Sequence, residues 1–224
     1  MKKNILFFTL LAFSLYSCSN SDSNENNSNV DVTDIDGNTY QTVNICDQTW
    51  MKSNLNVSKY RNGDEIPQVT DATQWANLTT GAWCYYQNNT ANGPIYGKLY
   101  NWYALNDSRG LAPTGWHIAT YQEWMEIYTC LGDNVGGKMK EVGTIHWLTP
   151  NTGATNESSF TGLPNGFRSI NGTFNFLGKY GYWWSSTEHS STEMMTFDLN
   201  YNSGNISTYN VNKISGLSVR CVKD

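Results

Sequence analysis

The chain has 224 residues, 15% of them charged and 14% aromatic, with nine Trp, fourteen Tyr and a formal charge of −5. An acidic chain without a run of Lys or Arg is excluded from the classes that grip nucleic acid or heparin-like polyanions, which need clustered positive charge. Residues 31–224 suffice for one domain that buries about 70% of its unfolded surface.

Chain order begins with an export signal over residues 1–17: Lys2 and Lys3 precede an apolar run from Ile5 to Tyr16. That run is too short for a bilayer, which needs about 20 residues. Leu15-Tyr16-Ser17-Cys18 resembles a bacterial lipoprotein box, with Tyr16 bulkier than the pattern usually carries, and it marks Cys18 for lipidation. Ser19 to Asn29 contains only Ser, Asn, Asp and Glu. It cannot bury enough apolar surface to offset its ordering entropy, so residues 18–30 are read as lipidated cysteine plus flexible tether. Without Lys2 and Lys3 the basic count falls from 14 to 12 against 19 acidic residues. The expected location is the outer membrane or cell surface of a Gram-negative bacterium, with the membrane as partner through the lipid.

Within residues 31–224, Asp36-Gly37-Asn38 is a turn signal, and too few ligand positions surround it for a calcium loop. Val43 and Ile45 alternate toward one face, Cys46-Asp47 turns, and Gln48 to Met51 continues as a second strand. A first helix is predicted over Gly97 to Leu105, with Leu99, Trp102 and Tyr103 on one face. A second is better specified. Thr120 and Glu123 form a capping box, Trp124, Ile127, Tyr128 and Leu131 recur at helical spacing, and Gly132 ends it. Gly132 to Lys179 reads as long ordered loops fastened by Trp147, Phe160, Phe167 and Phe174. Met195, Phe197, Leu199 and Tyr201 alternate with Met194, Thr196, Asp198 and Asn200 as a half-buried strand, and Asn202-Ser203-Gly204 turns the chain. Leu217, Val219 and Cys221 share an inward face, with Arg220 opposite.

Cys46, Cys84, Cys130 and Cys221 are the disulfide candidates, and four cysteines allow three connectivities. Their wide spacing offers no metal-binding pair, and His117, His146 and His189 are isolated. No nucleophile elbow, phosphate loop or dinucleotide fingerprint occurs, so neither a cofactor nor a catalytic residue is expected. Ser185, Ser186, Glu188 and His189 are sequence neighbours on one strand, an arrangement that does not converge as a triad requires. Glu188 is equally readable as a buried partner of Arg220 or Arg168.

Several aromatic motifs stand in order: Trp50-Met51-Lys52-Ser53-Asn54-Leu55, Tyr96-Gly97-Lys98-Leu99-Tyr100-Asn101-Trp102-Tyr103, Pro113-Thr114-Gly115-Trp116-His117, Gly181-Tyr182-Trp183-Trp184-Ser185-Ser186-Thr187-Glu188 and Ser218-Val219-Arg220-Cys221. Together they resemble the Fibrobacter succinogenes major paralogous domain over residues 31–224. That resemblance implies a secreted or lipid-anchored protein of a Bacteroidetes-type bacterium, in a family whose activity is largely unassigned. Ile118 to Trp124 and Gly216 to Cys221 are also similar to the helix start and terminal strand of formylglycine-generating and sulfatase-modifying domains. The implied fold is α+β and C-type-lectin-like: two helices, small antiparallel sheets and long ordered loops.

The departures from these families bear on activity. Where relatives carry a cysteine before Pro-Thr-Gly-Trp this chain has Ala112, and the lectin-like fold implies Cys130 as the substitute partner of Cys221. Calcium-type sugar motifs and the paired active-site cysteines of the formylglycine-generating enzymes are missing, so neither activity transfers. The expected function is a non-catalytic binding or adhesion module whose ligand is a glycan or surface polymer. Tyr182, Trp183, Trp184, Glu188 and Asn200 are the ligand-binding candidates. Because adjacent strand residues point oppositely, either both tryptophans are core or one lines a binding surface. The alternatives are a carbohydrate-active hydrolase using carboxylates such as Glu188 and Asp198, and a structural surface-coat component.

Overall fold

The structure is a computed structural model that describes Met1 and residues 31–224. The export signal, Cys18 and the tether lie outside the described residues. The chain opens with β1 (Val32–Thr33) and β2 (Thr39–Tyr40), paired around the expected turn, where Gly37 takes a positive φ of 84°. The Asp34 carboxylate is occupied by the Asp36 and Asn38 amides, the Asn38 side chain and the Tyr40 hydroxyl. A hairpin follows, β3 (Thr42–Ile45) and β4 (Gln48–Met51), turning at Cys46-Asp47 as expected. Next come α1 (Ala72–Ala76), β5 (Trp83–Cys84), α2 (Gly93–Tyr96), β6 (Leu99–Tyr100), α3 (Trp102–Leu105), β7 (Trp116–Ile118), α4 (Tyr121–Leu131) and α5 (Val135–Met139). The last third holds β8 (Phe167–Arg168), β9 (Phe174–Asn175), β10 (Tyr180–Glu188), β11 (Glu193–Asn200), β12 (Ile206–Asn212) and β13 (Cys221–Lys223).

Two sheets carry the architecture. One has the order β3-β4-β13-β7, so the last strand sits between the opening hairpin and β7. The other is the antiparallel meander β10-β11-β12. Between them lies an aromatic core in which Trp50, Trp124, Phe160, Trp183 and Phe197 pack edge-on or stacked, with Trp124 and Phe197 rings 5.0 Å apart. A second cluster gathers Trp184, Met194, Leu217, Val219 and Cys221 against Tyr60 and Tyr100.

Helix α4 forms where its local signals require. The Thr120 hydroxyl accepts from the Glu123 amide, the Glu123 carboxylate accepts from the Thr120 amide at 2.7 Å, and Gly132 closes the helix at φ 65°. Trp124 and Ile127 are buried beneath it. The helix expected over Gly97 to Leu105 forms only over its last turn, as α3. Gly97 turns at φ 73°, where a Cβ would meet the Leu55 carbonyl at 2.7 Å. Leu99–Tyr100 then pairs with Trp83–Cys84, and Tyr100 also exchanges both backbone hydrogen bonds with Leu217, so tertiary pairing takes these residues into a strand and leaves a short helix capped by Asn101. The loops after Gly132 are fastened largely as expected: Trp147 and Phe160 are buried, Phe167 and Phe174 half-buried. Lys140 adds an anchor that the sequence did not announce, its ammonium donating to the Thr152, Asn200 and Ser203 carbonyls at 2.8 Å each. The strand over Met194–Tyr201 is covered on both faces, not one, because Phe197 and Leu199 pack into the aromatic core while Met194 on the other face packs into the Trp184 cluster.

The cysteine expectation needs correction. Cys46 pairs with Cys130, while Cys84 and Cys221 are free and buried. Cys130 lies at the end of α4 beside the β3–β4 turn, to which Gln48 also ties the helix through Glu126. Cys221 points instead into the Trp184 and Val219 cluster on an interior strand. A disulfide places the folded chain in an oxidising compartment outside the cytoplasm. Among the described residues no helix is long and apolar enough to cross a membrane.

His117, on β7, holds the end of the chain. Its Nδ1 lies 2.7 Å from Asp224 Oδ1 and its Nε2 2.6 Å from Glu123 Oε1. Burial opposes the imidazolium, but hydrogen bonds to Asp224 and Glu123 outweigh it, and the pKa rises above 6.5. A raised folded pKa means this contact stabilises fully below about 6.5 and is lost as pH rises through the folded value. We therefore expect His117→Asn to flatten the change in unfolding midpoint between pH 5.5 and 8.5; an unchanged slope would locate the pH dependence elsewhere.

Candidate ligand-binding groove

Strand alternation and register decide which side chains meet on the outer face of the β10-β11-β12 sheet. Along β10, Gly181 and Trp183 face the aromatic core, and Tyr180 and Tyr182 face the other way. Register places Asp198 opposite Tyr182 on one side and opposite Ser207 on the other, and places Thr196 opposite Tyr209. One face therefore carries Tyr180, Tyr182, Asp198, Asn200, Tyr209 and Val211. Phe167, on β8, and Phe176, in the loop after β9, complete its rim. Phe167 meets Tyr182 edge-on at 5.2 Å, and Tyr180 stacks on Tyr182 with centroids 5.4 Å apart. An open groove of about 180 Å³ runs between Phe167, Phe176, Tyr182 and Tyr209, with Val211 and Leu217 also lining it.

This surface is apolar and open. Tyr209 is 54% exposed and Phe176 44%. Phe176 adopts φ 69°, a left-handed conformation that costs a bulky L residue of order 1–3 kcal/mol. The amides of Lys179 and Tyr180 hold it there by donating to its carbonyl.

Asp198 is the exceptional polar group of the face. The residue is 1% exposed, and neither carboxyl oxygen has a hydrogen-bond partner among the described residues. Burial pushes its pKa up to about 7. Burial, then the nearby Asp198 charge, keeps the Tyr182 hydroxyl protonated well above the ordinary tyrosine range.

The sequence candidates divide accordingly. Tyr182 lies in the groove, and Asn200 ends the same face of β11, its Oδ1 accepting from the Asn202 amide at 3.1 Å. Trp183 and Trp184 present no face to a ligand. They are 1% and 0% exposed, with indole N–H groups donating to Asn54 Oδ1 and the Tyr100 carbonyl at 2.7 Å each. Glu188 is neither in the groove nor buried against an arginine; it is exposed and pairs with Lys213 at 3.2 Å. Glu188 sits opposite Met194, four residues from Asp198, so about 13 Å of strand separates the two acids. Ser185 Oγ accepts from the Thr187 amide and Ser186 donates to the Ile118 carbonyl, so both hydroxyls serve the strand. Tyr180, Phe176, Tyr209 and Val211 were missed as site residues. The available signal was aromatic or apolar spacing of two, Tyr180 with Tyr182 and Tyr209 with Val211.

The chain is thus a mixed α+β domain of small antiparallel sheets, with a disulfide and an aromatic groove on its outer sheet. Residues 43–223 match the Fibrobacter succinogenes major domain, and the chain belongs to that family. No curated protein and no solved structure matches it.

Proposed function

We propose that this protein is a non-catalytic, lectin-like binding or adhesion module, lipid-anchored at Cys18 on the outer membrane or cell surface of a Gram-negative bacterium, and that the aromatic groove takes a glycan or related surface polymer. The observation that carries the reading is the open groove between Phe167, Phe176, Tyr182 and Tyr209. Aromatic faces bind the C–H faces of sugar rings, and a rigid sheet holds them in place. The strained Phe176 backbone supports it, since such conformations gather at functional sites. Separation of Glu188 from Asp198 favours binding over hydrolysis by that pair, because glycosidase carboxyls stand about 5 Å or roughly 6.5–9.5 Å apart. The pairing of the early β3–β4 hairpin with the late strand β13 in one sheet, with long loops between, supports the lectin-like assignment.

A glycan array with the purified protein, followed by titration of the best hit, tests this. Tyr182→Ala and Tyr209→Ala are each expected to weaken binding about tenfold, the loss of one ring contact of about 1.4 kcal/mol, with the circular dichroism spectrum unchanged. Unaltered affinity in both folded variants, or a blank array, would overturn the assignment.

A further inference from the structure

The reading of the groove leaves Asp198 without a role. Other deeply buried charges in the described residues are answered by fixed partners. Arg168 donates to the Val69, Thr70 and Gly172 carbonyls, Arg220 to Asn54 and three carbonyls, and Lys140 to three carbonyls. Asp34 accepts from four donors. Asp198 alone is an acid with both oxygens buried and unpartnered. Leaving a carboxyl so costs free energy, and Leu there would avoid most of it. The cost falls on the groove face, between Tyr182 and Ser207 in register and diagonal to Tyr209.

We propose that the groove selects saccharide units bearing a protonated amine, with Asp198 as the counter-ion of that amine. This deepens the glycan-binding reading and rests on it. Aromatic faces carry negative potential and attract a cation, as does the carboxylate beneath them. An anionic ligand would meet like charge, and a neutral one would leave the acid uncompensated. No Lys or Arg forms an ion pair or hydrogen bond with Asp198 among the described residues. The titratable groups facing it are Tyr180 and Tyr182 from β10 and Tyr209 from β12, and burial holds the Tyr182 hydroxyl protonated. With its pKa raised to about 7 by burial, Asp198 is readily ionised by an arriving cation. Tyr182, opposite Asp198, is half-buried, and Tyr209, diagonal to it, is exposed, so a side-chain rotation of either is the step that opens the carboxyl to a ligand.

Calorimetric titration with a β-1,4-linked glucosamine tetramer, its N-acetylated counterpart and cellotetraose, at pH 6 to 8, tests the assignment. The glucosamine tetramer is expected to bind at least fivefold tighter than the other two near pH 7. That preference should weaken at pH 6, where Asp198 holds its proton, and at pH 8, where the amine loses its own. Asp198→Asn removes a desolvated acid and is expected to fold, to bind all three about equally, and to lose the pH profile. Equal binding of the three by the parent, or a preference that survives in Asp198→Asn, would overturn the amine assignment while leaving glycan binding intact. No binding of any tetramer, together with a blank glycan array, would remove both.

Discussion

Replacing Arg220 with alanine is expected to lower the unfolding midpoint by roughly 10 °C, a loss of about 4 kcal/mol for a domain of this size. Arg220 lies on the opposite side of its segment from Val219 and Cys221, as alternation predicts, yet that side is interior as well. Its Nε donates to Asn54 Oδ1 at 2.7 Å, and its guanidinium reaches the Met51, Phe160 and Thr161 carbonyls. The guanidinium also lies over the Phe160 ring at 4.1 Å. Burial lowers its pKa to about 9, so it stays charged at neutral pH. Asn54 Oδ1 is shared with the Trp183 indole at 2.7 Å, and Asn54 Nδ2 donates to the Tyr96 carbonyl at 2.8 Å. One side chain thus joins the β4 exit, the loop at Phe160 and the approach to β13. Alanine would strand several acceptors, each costing about 1–3 kcal/mol, and leave a void beside Phe160 that relaxation only partly recovers. Lysine keeps the charge but lacks the planar fork, so Arg220→Lys should fall between the two. A midpoint within about 3 °C of the parent for Arg220→Ala would show that this network is dispensable.

What could be read in advance follows the range over which each signal acts. Thr120, Glu123 and Gly132 defined α4 because cap and stop are settled within one turn of chain. The hairpin around Cys46-Asp47 was legible for the same reason. Leu99 and Tyr100 looked helical because what makes them a strand is tertiary: pairing with Trp83 and Cys84 across an intervening loop, and a bridge from Tyr100 to Leu217 more than a hundred residues away. The edge strand β12 has a largely polar sequence, with no buried residue, that gives little periodic signal. Trp183 and Trp184 show how far alternation reaches: it separates their faces correctly, but cannot say that α4 and Phe160 cover one while Tyr100 covers the other. Tyr182 was named as a candidate, whereas Tyr209 enters the site only through the register that sets it against Thr196. Asp198 was assigned to the polar side of a half-buried strand; its burial comes from the neighbouring strands, and its unpartnered carboxyl becomes visible only once they are in place.

Reducing or removing the Cys46–Cys130 bridge is the other change expected to be large. The two cysteines are 84 residues apart, and closing a loop of that length in the unfolded chain is worth about 4.5 kcal/mol in the chain-entropy treatment. That is a large share of the 5–15 kcal/mol that separates folded from unfolded domains. The bridge also joins two parts of the fold that would otherwise separate easily. Cys46 sits in the tight turn of the edge hairpin at φ 55°, and Cys130 in the last turn of α4. Beyond the bridge, that corner is held by the Gln48–Glu126 hydrogen bond and by Trp50 against Trp124. Cys46→Ser with Cys130→Ser should therefore lower the urea midpoint and steepen the slope with denaturant, since the unbridged unfolded chain is less compact and exposes more surface. Parent protein treated with reductant should match the double variant. Cys84 and Cys221 provide an internal contrast. Burial raises both thiols to a pKa of about 12, so they are protonated and unreactive in the folded state, and Cys84→Ala should leave the reductant effect intact. If reductant destabilised the double variant as much as the parent, the stabilising bridge would have to be a different pair.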